Sequence, residues 1–322
     1  MTAVVRWGIA GTGPISQQIA RDFGLVDGAE LVAVASRTAA NAAGFGDEFA
    51  IPLRFSDYSA MLDADLDAVY LGTPHVTHFA LAKEALQRGR HVLCEKPLGL
   101  DATEVRELSA IARGAGVFLM EAMWMRFTPL MALVREIVDS GEIGEVRAVQ
   151  AAFGAPFPRD GSSRWQRGGS SLLDQGIYPV TLAHLMLGAP ESVTATGVID
   201  PLGIDLSTHF TLEYGGGRFA QGASSMVEFL AGTASVSGRT GWIGIDPGFW
   251  FASGLTVHGY GPTGPTARRH EVEREGHGYV PMLREVTRAI TAGLLEHPLH
   301  TLEDAVAVFE TLDAVRRRTI QV

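Results

Sequence analysis

A lysine on a loop, and a carboxylate and a phenol one helical turn apart, are the residues of this chain whose types and spacing suit proton transfer. The lysine lies in His91-Val-Leu-Cys-Glu95-Lys96-Pro97-Leu-Gly, where an apolar strand runs out. The other two lie in Gly168-Gly-Ser-Ser-Leu-Leu-Asp174-Gln-Gly-Ile-Tyr178. A phenol titrates at about 10 in water, so it moves a proton at neutral pH only beside a cation. Lys96 is a suitable cation if two domains meet across a cofactor. Asp174 and Tyr178 are i and i+4 and so project from one helix face. The carboxylate would orient a substrate hydroxyl or hold Lys96. Such a set suits oxidation of an alcohol or reduction of a carbonyl. Plainer roles exist for the same residues: a core tyrosine with its hydroxyl satisfied, and an aspartate that charges the start of its helix. Glu95 is read as orienting the loop or pairing with Lys96. Pro97 is read as fixing the loop, with its isomer left open.

The first residues supply the other half of a redox reaction. Gly8-Ile-Ala-Gly11-Thr12-Gly13-Pro14-Ile15-Ser16 follows an apolar strand and opens a helix. Gly11 makes the tight turn, Gly13 lets backbone approach a pyrophosphate, and Ser16 stands where a third glycine is usual. Pro14 suits a first helical position, whose missing N–H costs nothing. The helix N-terminus then offers N–H groups to the phosphates. The second strand ends in Ser36-Arg37-Thr38, with no acidic residue for a ribose hydroxyl. Arginine there accommodates a 2′-phosphate, so NADP(H) is the expected cofactor. The alternative is an exposed arginine with NAD held by other groups.

These residues need a frame that brings them to one edge. Apolar runs at Val4–Ala10, Leu31–Ala35, Asp67–Leu71, His91–Cys94 and Val117–Met120 alternate with helical patterns such as Ile15–Phe23, His78–Arg88 and Ala102–Arg113. That alternation predicts a doubly wound parallel sheet, a Rossmann domain over residues 1–122. Beyond it, alternating runs at 144–153, 192–199, 207–214, 218–226, 233–237 and 242–245 predict a large, open, mostly antiparallel sheet, with one helix at 172–187 set among the strands. Helices at 282–295 and 302–318 close this second α/β domain, expected over 123–322. Its broad sheet face, with few helices to cover it, predicts a two-fold homodimer.

Size and composition narrow the classes. A chain of 322 residues is long enough for two cores. Apolar residues make up 46% and charged residues 19%, the mark of a packed globular protein. The net charge is −10, and the longest basic run is Arg316-Arg317-Arg318, which argues against nucleic acid and anionic membranes. No charge-free stretch approaches the roughly 20 residues of a spanning helix. Cys94 is the one cysteine, and no secretory leader pattern opens the chain, so the expectation is a cytoplasmic protein. His75 and His78 are three apart but lack a third ligand at suitable spacing, so no metal is expected.

Thr73-Pro74-His75-Val-Thr-His78, Glu95-Lys96-Pro97, the Gly-rich start and the block ending at Tyr178 together resemble the Gfo/Idh/MocA oxidoreductase family, over nearly the whole chain. Two further stretches, Phe118-Leu-Met-Glu-Ala-Met-Trp124-Met-Arg126-Phe-Thr-Pro129 and Thr233-Ala-Ser-Val-Ser-Gly238, look closest to its dimeric dihydrodiol dehydrogenase branch, which also holds NADP-dependent sugar dehydrogenases. The resemblance implies a Rossmann domain, an open-faced α/β domain and a dimer through the sheet. It implies that Lys96 lies near the nicotinamide and that Tyr178 is the acid/base; Thr73, Pro74, His78 and Glu95 are expected along the cofactor, with His78 also read as securing the start of the helix after Thr-Pro. Inositol-type members have histidine at that last position, which turns the reading away from cyclitols and towards a sugar or small diol. Trp124, Arg126, Phe153 and Trp165 are the candidate pocket residues; Trp124 suits the core between the domains equally, and Trp165 lies with Phe157, Arg159 and Arg164 in a loop that is either a cover for the substrate or a plain surface loop. The rival readings are an NAD-dependent sugar or cyclitol dehydrogenase and a dinucleotide-binding regulatory protein without turnover.

Overall fold

Short apolar strands and amphipathic helices alternate along the first 121 residues of the computed structural model, which describes residues 4–321. The elements are β1 (Val5–Ala10), α1 (Pro14–Phe23), β2 (Ala29–Ala35), α2 (Ala39–Glu48), β3 (Leu53–Phe55), α3 (Tyr58–Leu62), β4 (Ala68–Leu71), α4 (His78–Gln87), β5 (His91–Cys94), α5 (Ala102–Ala115) and β6 (Leu119–Glu121). The strands form one sheet in the order β3-β2-β1-β4-β5-β6, parallel throughout. The chain reverses its direction across the sheet between β1 and β4. In such sheets ligands bind there, outside the carboxyl ends of the strands.

Then follow α6 (Pro129–Asp139), β7 (Val146–Gly154), α7 (Ile177–Leu187), β8 (Ser192–Ile199), β9 (Asp205–Tyr214), β10 (Arg218–Ser225), β11 (Ala234–Gly238), β12 (Gly241–Ile245), β13 (Gly254–Gly261), β14 (Gly264–Glu271), α8 (Val280–Thr291), α9 (Leu302–Arg318) and β15 (Thr319–Gln321). Nine of the strands form a second sheet in the order β14-β13-β12-β11-β7-β10-β9-β8-β15. Its pairs are antiparallel except β7 with β10 and β8 with β15. The hairpin β13–β14 and the short edge strand β3 had no separate sequence expectation. Among the described residues no helix is long and apolar enough to cross a membrane.

The chain divides into two compact units, and the division is not the single boundary near 122 that pattern alone suggests. One unit comprises residues up to Phe127 together with Arg274–Val306, and the other Thr128–Glu273 together with Ala307 onward. A buried carboxylate supplies one physical reason for the return of 274–306. Asp22, fully buried on α1, accepts the His277 N–H at 2.8 Å and the Tyr279 N–H at 2.9 Å. The helix expected at 172–187 is also divided: Leu172–Gly176 winds as a π turn before α7 begins at Ile177. Such turns recur at functional sites, and here Asp174 and Tyr178 stand on either side of the change in winding.

Candidate active site

Four adjacent strand ends of the parallel sheet carry the expected cofactor residues. After β1, Gly11 adopts φ +97°, and an added Cβ would lie 2.6 Å from the Gly72 carbonyl oxygen, so only glycine fits the turn. Gly13 caps α1 without a side-chain hydrogen bond, Pro14 takes the first turn, and an added Cβ on Gly13 would meet nothing within 4 Å. The helix therefore presents its first N–H groups to open space. Ser16 is buried, and its hydroxyl donates to the Gly72 carbonyl at 3.4 Å. Ile15 is half-buried beside it. Gly8, expected with this turn, instead lies within β1, its open side facing Leu66 and Met61 at 3.2 and 3.3 Å; it serves strand packing. After β2, Ser36 Oγ lies 3.1 Å from Thr12 Oγ, and Thr38 caps α2 by accepting the Asn41 N–H. Arg37 stands between them, exposed and taking part in neither bond.

After β4, Thr77 donates its hydroxyl to the Pro74 carbonyl at 2.7 Å, and its Oγ1 lies 2.7 Å from Thr73 Oγ1. His78 is buried at the start of α4. Its Nδ1 lies 2.7 Å from the Pro97 carbonyl and its Nε2 lies 2.8 Å from the Thr73 carbonyl. Burial pushes its pKa below the ordinary imidazole value, against the pull of both carbonyls. The ring ties the loop after β4 to the loop after β5.

After β5, Glu95 is buried. Its Oε1 accepts the Tyr70 hydroxyl at 2.7 Å, and its Oε2 accepts the Lys96 N–H at 3.2 Å. The Lys96–Pro97 bond is cis. Burial pushes the Glu95 carboxyl from 4.5 up to about 7, against the opposing effects of Lys96 and of both hydrogen bonds. The folded protein thus keeps this proton to about pH 7, while the unfolded chain releases it near 4.5. Between those values the folded state binds more protons, so this group's contribution to stability falls as pH rises. Glu95→Gln should remove that slope, on the order of 3 kcal/mol across the window. Urea unfolding of both proteins at pH 5 and pH 7.5 measures the difference; parallel pH dependences would refute the assignment.

In the other unit a buried aspartate fixes the start of the helix that bears the expected acid/base. Asp205 on β9 accepts the Leu172 N–H at 2.7 Å and the Ser171 hydroxyl at 2.9 Å, and burial raises its pKa. Asp174 and Tyr178 are both buried. Asp174 Oδ2 accepts from Arg164 Nε at 2.9 Å, and the Arg164 guanidinium lies 3.9 Å over the Phe157 ring. Tyr178 stands beside a pair of stacked rings. Phe153 and Trp250 lie 3.6 Å apart at 10°, with Tyr178 at 5.8 Å from the first and 5.9 Å from the second. Trp250 has no place among the expected residues. Its only sequence signal is the aromatic run Phe249-Trp250-Phe251 directly after the Asp246-Pro-Gly248 turn.

Trp165 donates its indole N–H to the Pro158 carbonyl and lies under Arg159. Trp124 is buried against Tyr279, ring centres 4.7 Å apart. Arg126 is buried too, its guanidinium directed at His300 and Asp304 within its own unit.

Residues 5–123 match the model of an oxidoreductase family with an NAD-binding Rossmann fold, and residues 131–244 match the GFO/IDH/MocA C-terminal domain. The trans-1,2-dihydrobenzene-1,2-diol dehydrogenase of Sus scrofa is 35% identical over 324 residues, covering 97% of this chain and 96% of its own. A 3-ketoreductase from Actinomadura kijaniata, solved in complex with NADP and TDP-benzene, is similar with a TM-score of 0.88 at 29% identity and 99% coverage of each chain. An aldose-aldose oxidoreductase from Caulobacter crescentus, complexed with glycerol, shares the fold at a TM-score of 0.87 and 24% identity.

Proposed function

The chain belongs to the GFO/IDH/MocA oxidoreductase family, and from that membership we propose that it transfers hydride between NADP and a secondary alcohol or carbonyl of a sugar or small diol. One observation carries the reading. The neighbouring strand ends β2, β1, β4 and β5 bear, in that order, Arg37, the Gly11–Pro14 turn, the Thr73–Pro74 loop and Lys96. That is the order a dinucleotide needs from its 2′-phosphate, through its pyrophosphate, to its nicotinamide.

The residues fit the cofactor. The space over Gly13 and the uncapped N-terminus of α1 suit a pyrophosphate. Arg37 would hold the 2′-phosphate, and Thr73, Pro74, His78 and the Glu95–Lys96 loop would hold the nicotinamide end. When bound, NADP supplies the hydride donor or acceptor. Tyr178 takes the hydroxyl proton in oxidation or returns it in reduction. Lys96 is the cation such a transfer needs, and its charge would favour the phenolate in the loaded enzyme. Asp174, braced by Arg164, orients the substrate hydroxyl. Phe153 and Trp250 give an apolar wall that suits a ring.

A nicotinamide absorbance assay with aldoses and with trans-1,2-dihydrobenzene-1,2-diol tests the proposal. Turnover with NADP⁺ well above that with NAD⁺ is the expected result. Tight cofactor binding with no turnover across the panel would favour a regulatory protein instead. The chemistry needs no disulfide, and the lone, buried Cys94 suits a reducing compartment, so we place the protein in the cytoplasm.

Assembly is part of the same proposal. The outer face of the nine-stranded sheet is more polar than the strand pattern suggests. Thr194, Thr211, Gln221, Gln150, Ser235 and Gly244 pair in register across six strands, and Gln150 donates to Gln221 at 3.0 Å. Large apolar side chains are exposed along it, among them Phe219 at 37%, Trp242 at 42% and Tyr260 at 84%, with Trp242 stacked on His258. A flat face of small polar residues with exposed aromatics suits an isologous two-fold contact. Light scattering at micromolar protein should give twice the 34.4 kDa chain mass; a monomer mass would refute the dimer.

A further inference from the structure

We propose that Glu121 and His300 are positioning residues for Lys96, acting through the backbone of its loop; the inference rests on the reading of Lys96 as the cation beside the acid/base. Glu121 ends β6, and its register partner is Cys94, the last residue of β5. Its carboxylate therefore lies where β5 runs out into Glu95 and Lys96. Glu121 Oε1 accepts the Leu98 N–H at 3.0 Å, and Oε2 lies 3.2 Å from His300 Nε2. His300 Nδ1 lies 3.1 Å from Arg126 Nη1. An arginine has only donors, so Nδ1 accepts, Nε2 carries the ring proton, and that proton is donated to Glu121. Arg126 is held in turn by Asp304 at 3.2 Å. Glu121 and His300 are each 1% exposed.

Burying these groups together is no cheaper than packing apolar side chains in the same volume. What the set adds is direction. Three consecutive residues of the loop are each tied by a buried side chain from a different place. Glu95 accepts the Lys96 N–H, His78 faces the Pro97 carbonyl, and Glu121 accepts the Leu98 N–H. Glu121 is itself steered from behind by His300, which comes from the segment 274–306. The root of the Lys96 side chain is fixed by these ties. A displacement near 1 Å at a reacting group can cost about 10²-fold in rate.

The test uses the full chain with NADP⁺ and trans-1,2-dihydrobenzene-1,2-diol. Glu121→Gln and His300→Leu should each lower kcat by about 10²-fold, with KM for the diol and Kd for NADPH changed less than about twofold. His300→Gln, whose amide N–H can replace Nε2–H, should recover most of the rate. Placed in a Lys96→Met protein, Glu121→Gln and His300→Leu should cost nothing further, because what they position is gone. A substrate-free measurement accompanies this: hydrogen exchange of the amides at 96 and 98–100 should quicken in both variants while the rest of the unit keeps its protection. Unchanged loop exchange, unchanged kcat, or losses that multiply fully with that of Lys96→Met would each overturn the inference. Lys96→Met with undiminished turnover would overturn the reading beneath it, a result separable from the others because it needs neither variant.

Discussion

Replacement of Tyr178 by phenylalanine is expected to lower turnover by about 10²–10⁴-fold, the range for loss of a general acid/base. The change removes one oxygen and keeps a ring beside Phe153 and Trp250, at centroid distances of 5.8 and 5.9 Å. Folding and cofactor affinity should therefore survive, and the loss should fall on kcat. Steady-state kinetics with the best substrate of the panel, together with the isotope effect of the deuterated substrate, separates chemistry from product release. Near-normal turnover with chemistry rate-limiting would mean that another residue moves the proton. The same reading orders two further variants. Lys96→Met should shift the tyrosine limb of the oxidation pH profile upward, because the cation that favours the phenolate is gone. Asp174→Asn should cost less than Tyr178→Phe, since it keeps an oxygen to orient the substrate while weakening the pair with Arg164.

Replacement of Arg37 by aspartate is expected to weaken NADP(H) binding by about 1.5–3 kcal/mol, the worth of charge-assisted hydrogen bonds, and to leave NAD(H) nearly untouched. The neighbouring hydroxyls are already engaged, Ser36 with Thr12 and Thr38 at the cap of α2. Arg37 is exposed between them and is the cation at that strand end. An aspartate there would face the 2′-phosphate with like charge while offering a ribose hydroxyl an acceptor. Fluorescence titration with both reduced cofactors reads the change. Equal affinity for the two in the unmutated protein would refute the role given to Arg37.

Much of the frame could be read from local pattern. Apolar strands alternating with helices encode a parallel sheet, because each run is shorter than ten residues and its periodicity is a property of neighbours. The turn at Gly11 is equally local: a positive φ beside a strand end demands glycine, and Pro14 marks the helix that follows. The candidate acid/base set was visible for the same reason, since Glu95-Lys96-Pro97 and Asp174 with Tyr178 are short motifs whose chemistry lies in their residue types.

Only the tertiary structure decided which distant side chains meet. Glu121 and His300 are separated by 179 residues, and His277 and Asp22 by 255; no periodicity connects such pairs. Buried polar groups must find partners wherever packing brings them, and that choice redirected several readings. Arg126 is a pocket residue by its place in sequence, yet the structure turns its guanidinium to His300 and Asp304. Gly8 belongs to strand packing because Met61 and Leu66 lie against it. Asp205 caps the helix that bears Tyr178 from a strand more than thirty residues away. Trp250 reaches Phe153 because a turn folds its aromatic run back onto β7. Chemistry-bearing residue types and short-range backbone sterics are written in the chain order, whereas the partners that orient those residues arise when the cores close.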